Sequence, residues 1–334
     1  MKAKSLILLA VVTLMGVAAA AVQVSQRQPR QHAALPLVIA CINTPHSGLL
    51  QVAAAKGYFA EEGLAVTLRT VPTGYDAIQA VLKGEADVGA AAETPIARAL
   101  DEGKPVQVVA TIFASRNNVG IVARKDRGIL TPANLAGKRI GVVFGTASHY
   151  MLETFLAFHD VAIDSVSQVP IKPDVMVSSI VSGEVDAVAA WNPSYAKAGQ
   201  QLGDNATVFS SGEFYAETYN LAVREGYGAD NMTKTEAMMR ALVMAERFVA
   251  GNVDEAVAII TSTTGTDERI FRTALDPRTY ELALNQSTLL ATENEARWYL
   301  RRGLVKDGSI PDILKAFDTQ PLRRVKPAGV SIVK

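Results

Sequence analysis

For its first two thirds the chain alternates short apolar runs with stretches of helical period. Residues 37–42, 106–113, 119–124 and 139–144 are apolar runs rich in β-branched residues, as expected of strands buried on both faces. Residues 64–71 alternate, and 88–91 and 165–169 are shorter strand candidates. Between them, residues 49–58, 77–83 and 174–181 read as helices. From His149 onward, Met151, Leu152, Phe155 and Leu156 fall at helical spacing. Gly57 ends the first helix, Glu93-Thr94-Pro95 opens another, and Thr131-Pro132 is an N-cap followed by proline at the first helical position. Strands alternating with helices predict an α/β chain with mostly parallel sheets. From residue 233 the pattern turns almost wholly helical (235–250, 253–261, 267–275, 293–303), and these helices are expected to pack back on the first part of the fold.

An internal repeat changes this picture from one sheet to two. Gly84-Glu85-Ala86-Asp87-Val88-Gly89-Ala90-Ala91 and Gly183-Glu184-Val185-Asp186-Ala187-Val188-Ala189-Ala190 share the pattern G-E-x-D-x-x-A-A. Pro95 and Pro193 follow soon after. The repeat suggests two α/β lobes of related build. Ligands of open α/β sheets sit outside the carboxyl ends of strands, and the loops at 43–47, 93–94, 145–148 and 191–193 all satisfy that rule. Two facing lobes would converge them on one cleft.

The most informative loop is Gly145-Thr146-Ala147-Ser148, between a strand and a helix. The first N–H groups of a helix lack intrahelical partners, and together with the helix dipole they suit an anion. Thr146 and Ser148 can add hydroxyl donors. The competing reading is that one of them simply caps the helix.

Composition narrows the function. The 334 residues suggest about two domains. Lys+Arg and Asp+Glu number 33 each, so no net field draws nucleic acid or an anionic membrane. Cys41 is the only cysteine, which rules out an internal disulfide and a cysteine-cluster metal site. His32, His46, His149 and His159 show no metal-ligand spacing, and no cofactor is expected. Lys2 and Lys4 precede an apolar core over 6–17 and four alanines at 18–21, which read as an export signal over 1–21, with an uncleaved anchor as the alternative. Residues 22–34 read as a tether.

The chain resembles the periplasmic substrate-binding proteins of nitrate, sulfonate and taurine ABC importers, a superfamily shared with binding proteins for thiamine-pyrimidine precursors. The segments that carry the resemblance are Ala54-Ala55-Lys56-Gly57-Tyr58-Phe59, Gly84-Glu85-Ala86-Asp87, Leu135-Ala136-Gly137-Lys138-Arg139-Ile140-Gly141, Gly145-Thr146-Ala147-Ser148-His149-Tyr150 and Asp186-Ala187-Val188-Ala189-Ala190-Trp191-Asn192-Pro193. It implies a two-lobed type II binding-protein fold, with lobe I over 35–115 and 220–334 and lobe II over 116–219. It also implies crossovers near 114–118 and 214–221 and closure by hinge motion. A monomer would bind a small anionic or zwitterionic solute and deliver it to permease subunits. The ATPase would be a separate chain, since no phosphate-binding Gly-x-x-x-x-Gly-Lys-Ser/Thr occurs here.

On this resemblance Gly145, Thr146, Ala147 and Ser148 form the anion-contacting turn, and Trp191 a cleft wall. Asn43, His46 and Ser47 lie in a loop similar to that of the pyrimidine-binding branch, with His46 able to stack on or hydrogen-bond a ring. Glu93, beside Thr94, would repel an oxyanion, so it either points away or reads an amino group. Arg116, next to Ser115 at a crossover, is the best candidate for a sulfonate partner. A pyrimidine or aromatic solute is the alternative ligand. The fold also resembles a sulfinate desulfinase with a cysteine nucleophile, where Cys41 would be the candidate, but Cys41 lies in an apolar strand with only His46 near it in sequence.

Overall fold

The computed structural model describes residues 34–275, 279–305 and 310–333. The expected export signal, and the tether up to residue 33, lie outside the described residues. The strands are β1 (Leu35–Cys41), β2 (Leu64–Thr70), β3 (Val88–Ala92), β4 (Val106–Ser115), β5 (Val119–Arg124), β6 (Arg139–Val142), β7 (Ser167–Pro170), β8 (Ala187–Trp191), β9 (Ala206–Ser210) and β10 (Glu217–Arg224). They form two five-stranded sheets, ordered β2-β1-β3-β10-β4 and β7-β6-β8-β5-β9. The longer helices are α1 (Gly48–Ala55), α2 (Gly74–Leu82), α3 (Glu93–Asp101), α4 (Ala147–Phe158), α5 (Met176–Ser182), α6 (Ser194–Leu202), α7 (Met232–Gly251), α8 (Val253–Thr264), α9 (Glu268–Ala274), α10 (Gln286–Arg301) and α11 (Gln320–Val325).

Each sheet is mixed in the same way. β1 pairs parallel with β3, and β6 parallel with β7 and β8. The strands next to the crossovers run against their neighbours: β10 is antiparallel to β3 and β4, and β5 to β8 and β9. The chain leaves the first sheet after Ser115, enters the second at Val119, and returns between Ser210 and Glu217.

The repeat has a physical job that is the same in both lobes. Asp87 Oδ2 accepts the Val38 N–H at 2.8 Å while the Asp87 N–H donates to Val38 O at 2.9 Å. Asp186 Oδ2 accepts the Arg139 N–H at 2.9 Å while the Asp186 N–H donates to Arg139 O at 2.8 Å. Each aspartate thereby fastens the strand it precedes to its parallel neighbour. In β3 the repeat also supplies Gly89, where a Cβ would stand 2.8 Å from Ala77 O, so glycine lets α2 lie close on the sheet.

The C-terminal helices cover the first lobe, as expected: α7 packs on α1, and α10 on α3. Four elements depart from the sequence expectation. β9 and α6 follow the second repeat where no element was assigned. β10 takes the place of the second half of the expected return crossover. Thr131-Pro132 opens only a short 3-10 turn, Pro132–Leu135, instead of an α-helix.

Candidate functional site

Between the two sheets lies a cavity of about 40 Å³, room for a few waters as it stands. Its walls come from both lobes: Ile42, His46, Pro72, Thr73, Gly74, Tyr75, Ala92, Pro95, Glu217 and Tyr219 from the first, and Thr146, Ala147 and Trp191 from the second. These residues sit where strand ends meet helix starts. Thr73 caps α2 in a reciprocal box, accepting the Asp76 N–H at 3.2 Å while Asp76 Oδ2 accepts the Thr73 N–H at 3.1 Å.

On the second lobe, Gly145 has φ +74°, the left-handed region that favours glycine, and this turns the chain from β6 into α4. The Thr146 hydroxyl donates to Val143 O at 2.7 Å and lies 3.0 Å from Ser148 Oγ, which is fully buried. Neither hydroxyl caps a backbone N–H of α4. The Ala147 and Ser148 N–H groups find no protein acceptor among the described residues, so the helix start keeps free donors beside the cavity. Arg98 of α3 approaches the same turn. Its guanidinium lies over Tyr75 at 4.8 Å, and Nη1 is 3.7 Å from where a Cβ would stand at Gly145.

On the first lobe, His46 is buried, with Nδ1 2.7 Å from Thr44 Oγ1 and Nε2 3.2 Å from Glu217 Oε2. Asn118 Nδ2 donates to Glu217 Oε2 and lies 2.7 Å from His46 Nε2. His46 also packs against the rings of Phe113 and Tyr219, with centroids 4.9 and 5.3 Å away. Glu217, with this polar cluster behind it, is the carboxyl group of the cavity wall.

Glu93 does not line the cavity. It is fully buried, accepting from Tyr215 OH at 2.9 Å and from both Thr218 N and Oγ1 at 3.0 Å. Burial first, and the Glu217 charge second, push its carboxyl up to about 7 against these hydrogen bonds. Thr94 is buried beside it. Asn43 is exposed and donates to Thr263 O at 3.2 Å. Ser47 is buried and donates to Ile42 O at 2.9 Å. Ser115 Oγ accepts the Asn117 N–H at 3.2 Å, and the exposed Arg116 donates to Gly212 O at 3.1 Å, which ties the two crossovers together. Of the twelve expected site residues, His46, Thr146, Ala147 and Trp191 reach the cavity.

The loop from Pro72 to Tyr75 is absent from the cleft loops expected from the sequence, and the signal that marks it as a helix start is its Thr73-x-x-Asp76 box. Glu217 and Tyr219 gave no strand signal, because β10 carries buried polar residues that hide its apolar character. Cys41 is buried. Burial pushes its thiol up, outweighing the hydrogen bond with Ser47, so the thiolate is disfavoured.

Two α/β lobes with sheets ordered β2-β1-β3-β10-β4 and β7-β6-β8-β5-β9, and a cavity between them, have the fold of the type II binding-protein class. A sequence profile described as NMT1/THI5 like matches residues 43–256, and the chain belongs to that family. It is 26% identical over 209 residues to the taurine-binding periplasmic protein of Escherichia coli, covering 61% of this chain and 64% of that one. It is 27% identical over 224 residues to the formylaminopyrimidine-binding protein of Halalkalibacterium halodurans, covering 65% and 66%. Each match thus spans just under two thirds of the relative's length. The fold is similar to the periplasmic aliphatic sulphonate binding protein of Escherichia coli, with TM-score 0.74, 18% identity, and coverage of 84% of this chain and 97% of that one.

Proposed function

We propose that the chain is the solute receptor of an ABC importer, holding a small zwitterionic organic solute of the taurine type between its lobes and delivering it to a permease. The observation that carries this reading is the pairing of opposite chemistries around one cavity. The α4 N-terminus suits an acidic group, with Arg98, itself paired with Glu102 at 2.8 Å, behind the turn, and Glu217 suits a cationic or donating group. Trp191, Tyr75 and Tyr219 suit the apolar part between. The expected export signal and the similarity to periplasmic relatives support a periplasmic receptor, and the lack of a Gly-x-x-x-x-Gly-Lys-Ser/Thr stretch supports an ATPase on a separate chain.

The hydroxyls of Thr146 and Ser148 enter this reading as supports of the turn, since they bond to Val143 and to each other. The acid would be held chiefly by backbone N–H groups. A second reading is favoured by the His46–Glu217–Asn118 cluster: a carboxyl braced by two side chains could read the amino edge of a pyrimidine lying between rings. Catalysis by Cys41 finds no support in a thiol held protonated by burial. Thermal-shift screening of the mature protein against taurine, alkanesulfonates, nitrate and aminopyrimidines tests the proposal. A ligand at about 100 times its Kd adds roughly 2.7 kcal/mol of stability. Taurine or a short sulfonate should shift the midpoint. A shift by the aminopyrimidine alone would move the second reading ahead, and no shift by any of them would remove both.

A further inference from the structure

The lobes also meet away from the cavity, and a buried charge lies across the meeting point. α4 packs on β5 and β8 of the second sheet, whereas α10 packs on α3 of the first lobe. Glu153 of α4 is 2% exposed. Its Oε2 accepts from Trp298 Nε1 at 2.7 Å and lies 3.0 Å from Arg302 Nε, both contributed by α10 and its end. Its Oε1 accepts from Gln168 Nε2 at 2.9 Å and lies 3.4 Å from His149 Nε2. Burial works to protonate this carboxyl, but the hydrogen bonds from His149, Gln168 and Trp298 prevail and hold it at about 2. A buried carboxylate keeps its charge only while its donors stay in place. Separating the lobes would strip away Trp298 and Arg302.

His149 connects this contact to the turn beside the cavity. The Gly145 N–H donates to its Nδ1 at 3.3 Å, which assigns Nδ1 as the acceptor and leaves the ring proton on Nε2, facing Glu153. The imidazole is held between Phe144 and Trp298, with centroids 4.5 and 4.9 Å away, both edge-on. A continuous chain of contacts therefore runs from Gly145 through His149 and Glu153 to Trp298 and Arg302.

We propose that this chain is the latch of the cleft, and that His149 and Glu153 are positioning residues which set the 145–148 turn when α4 docks on α10. Closure of the lobes and formation of the acid-receiving turn are then one event. The latch rests on the cleft reading above for its purpose but not for its existence, so its test has an arm without solute. Trp298 is one of only two tryptophans, which makes its indole N–H easy to follow in a proton–nitrogen spectrum.

In ligand-free protein, Glu153→Gln should enlarge the radius of gyration at unchanged circular dichroism. It should also shift the Trp298 indole signal and move the Gly145 amide signal. With taurine as the probe, Glu153→Gln and Trp298→Phe should each weaken binding tenfold or more, though neither residue lines the cavity. A merely structural role would lower the melting temperature of both variants but leave the Gly145 amide and the radius of gyration as they were. That result, or a Kd within twofold of wild type in both variants, overturns the proposal. If wild-type protein fails to bind taurine, the ligand assignment falls and the solute-free arm still decides the latch.

Discussion

Glu295 offers a quantitative test of how the contact between α10 and α3 is held. It is fully buried on α10, close to Glu93 at the start of α3, and its carboxyl oxygens find no donor in good geometry among the described residues. Burial, and then the Glu93 charge, push its carboxyl well above the usual range, while Glu93 itself is pushed to about 7. Both acids bind protons more tightly folded than unfolded, so between the unfolded pKa near 4.5 and the folded value the native state carries more protons. Stability therefore falls as pH rises through that window. For Glu93 a displacement from 4.5 to about 7, at about 1.36 kcal/mol per unit, is on the order of 3 kcal/mol. Glu295→Gln keeps the shape, removes one acid and relieves its neighbour. Urea unfolding at pH 5, 6, 7 and 8 should show variant and wild type nearly equal at pH 5. By pH 8 the variant should be more stable by about 1–3 kcal/mol. Curves that stay parallel across the range would refute two buried acids that each raise the other's proton affinity.

Two further predictions concern the turn and the acid limb. Gly145→Ala meets no atom closer than 3.7 Å, so its cost is the left-handed backbone alone, about 1–2 kcal/mol of unfolding free energy by urea denaturation, and Gly145→Asn should lose less. Glu153 is held at about 2 against an unfolded value of 4.5, so its contribution is complete above about pH 4.5 and is lost as pH falls through 2. Acid titration followed by circular dichroism should show a gentler decline between pH 4.5 and 2 in Glu153→Gln than in wild type.

The alternation of apolar runs with helical stretches carried the α/β build, because strands buried on both faces and helices buried on one leave distinct periods, and the repeat carried its division into two lobes. The repeat carried more than its length suggests: Asp87 and Asp186 hold matching clamps, each accepting one backbone N–H through its carboxylate and donating its own N–H to the same residue's carbonyl. β10 was not legible. Its Glu217, Thr218 and Asn220 are buried through partners as distant in sequence as His46, Glu93 and Thr111, and no local pattern reports such pairings. The site was legible to the same extent. The 145–148 turn and Trp191 lie on elements with strong local signals, while Glu217 became a cavity residue only through long-range pairing. Charge alone left Glu93 with two readings, pointing away or reading an amino group, and made Arg116 a candidate sulfonate partner; in the structure Glu93 bonds to Tyr215 and Thr218, and Arg116 to Gly212.

Isothermal titration calorimetry of the mature protein with taurine tests the central claim most directly, provided the solute is also recovered and weighed against what was added. The account predicts saturable one-to-one binding, lost or weakened at least tenfold in Trp191→Ala and Glu217→Gln, with all solute returned unchanged. Absence of binding by taurine and by the related sulfonates and aminopyrimidines, or consumption of the solute, would contradict it.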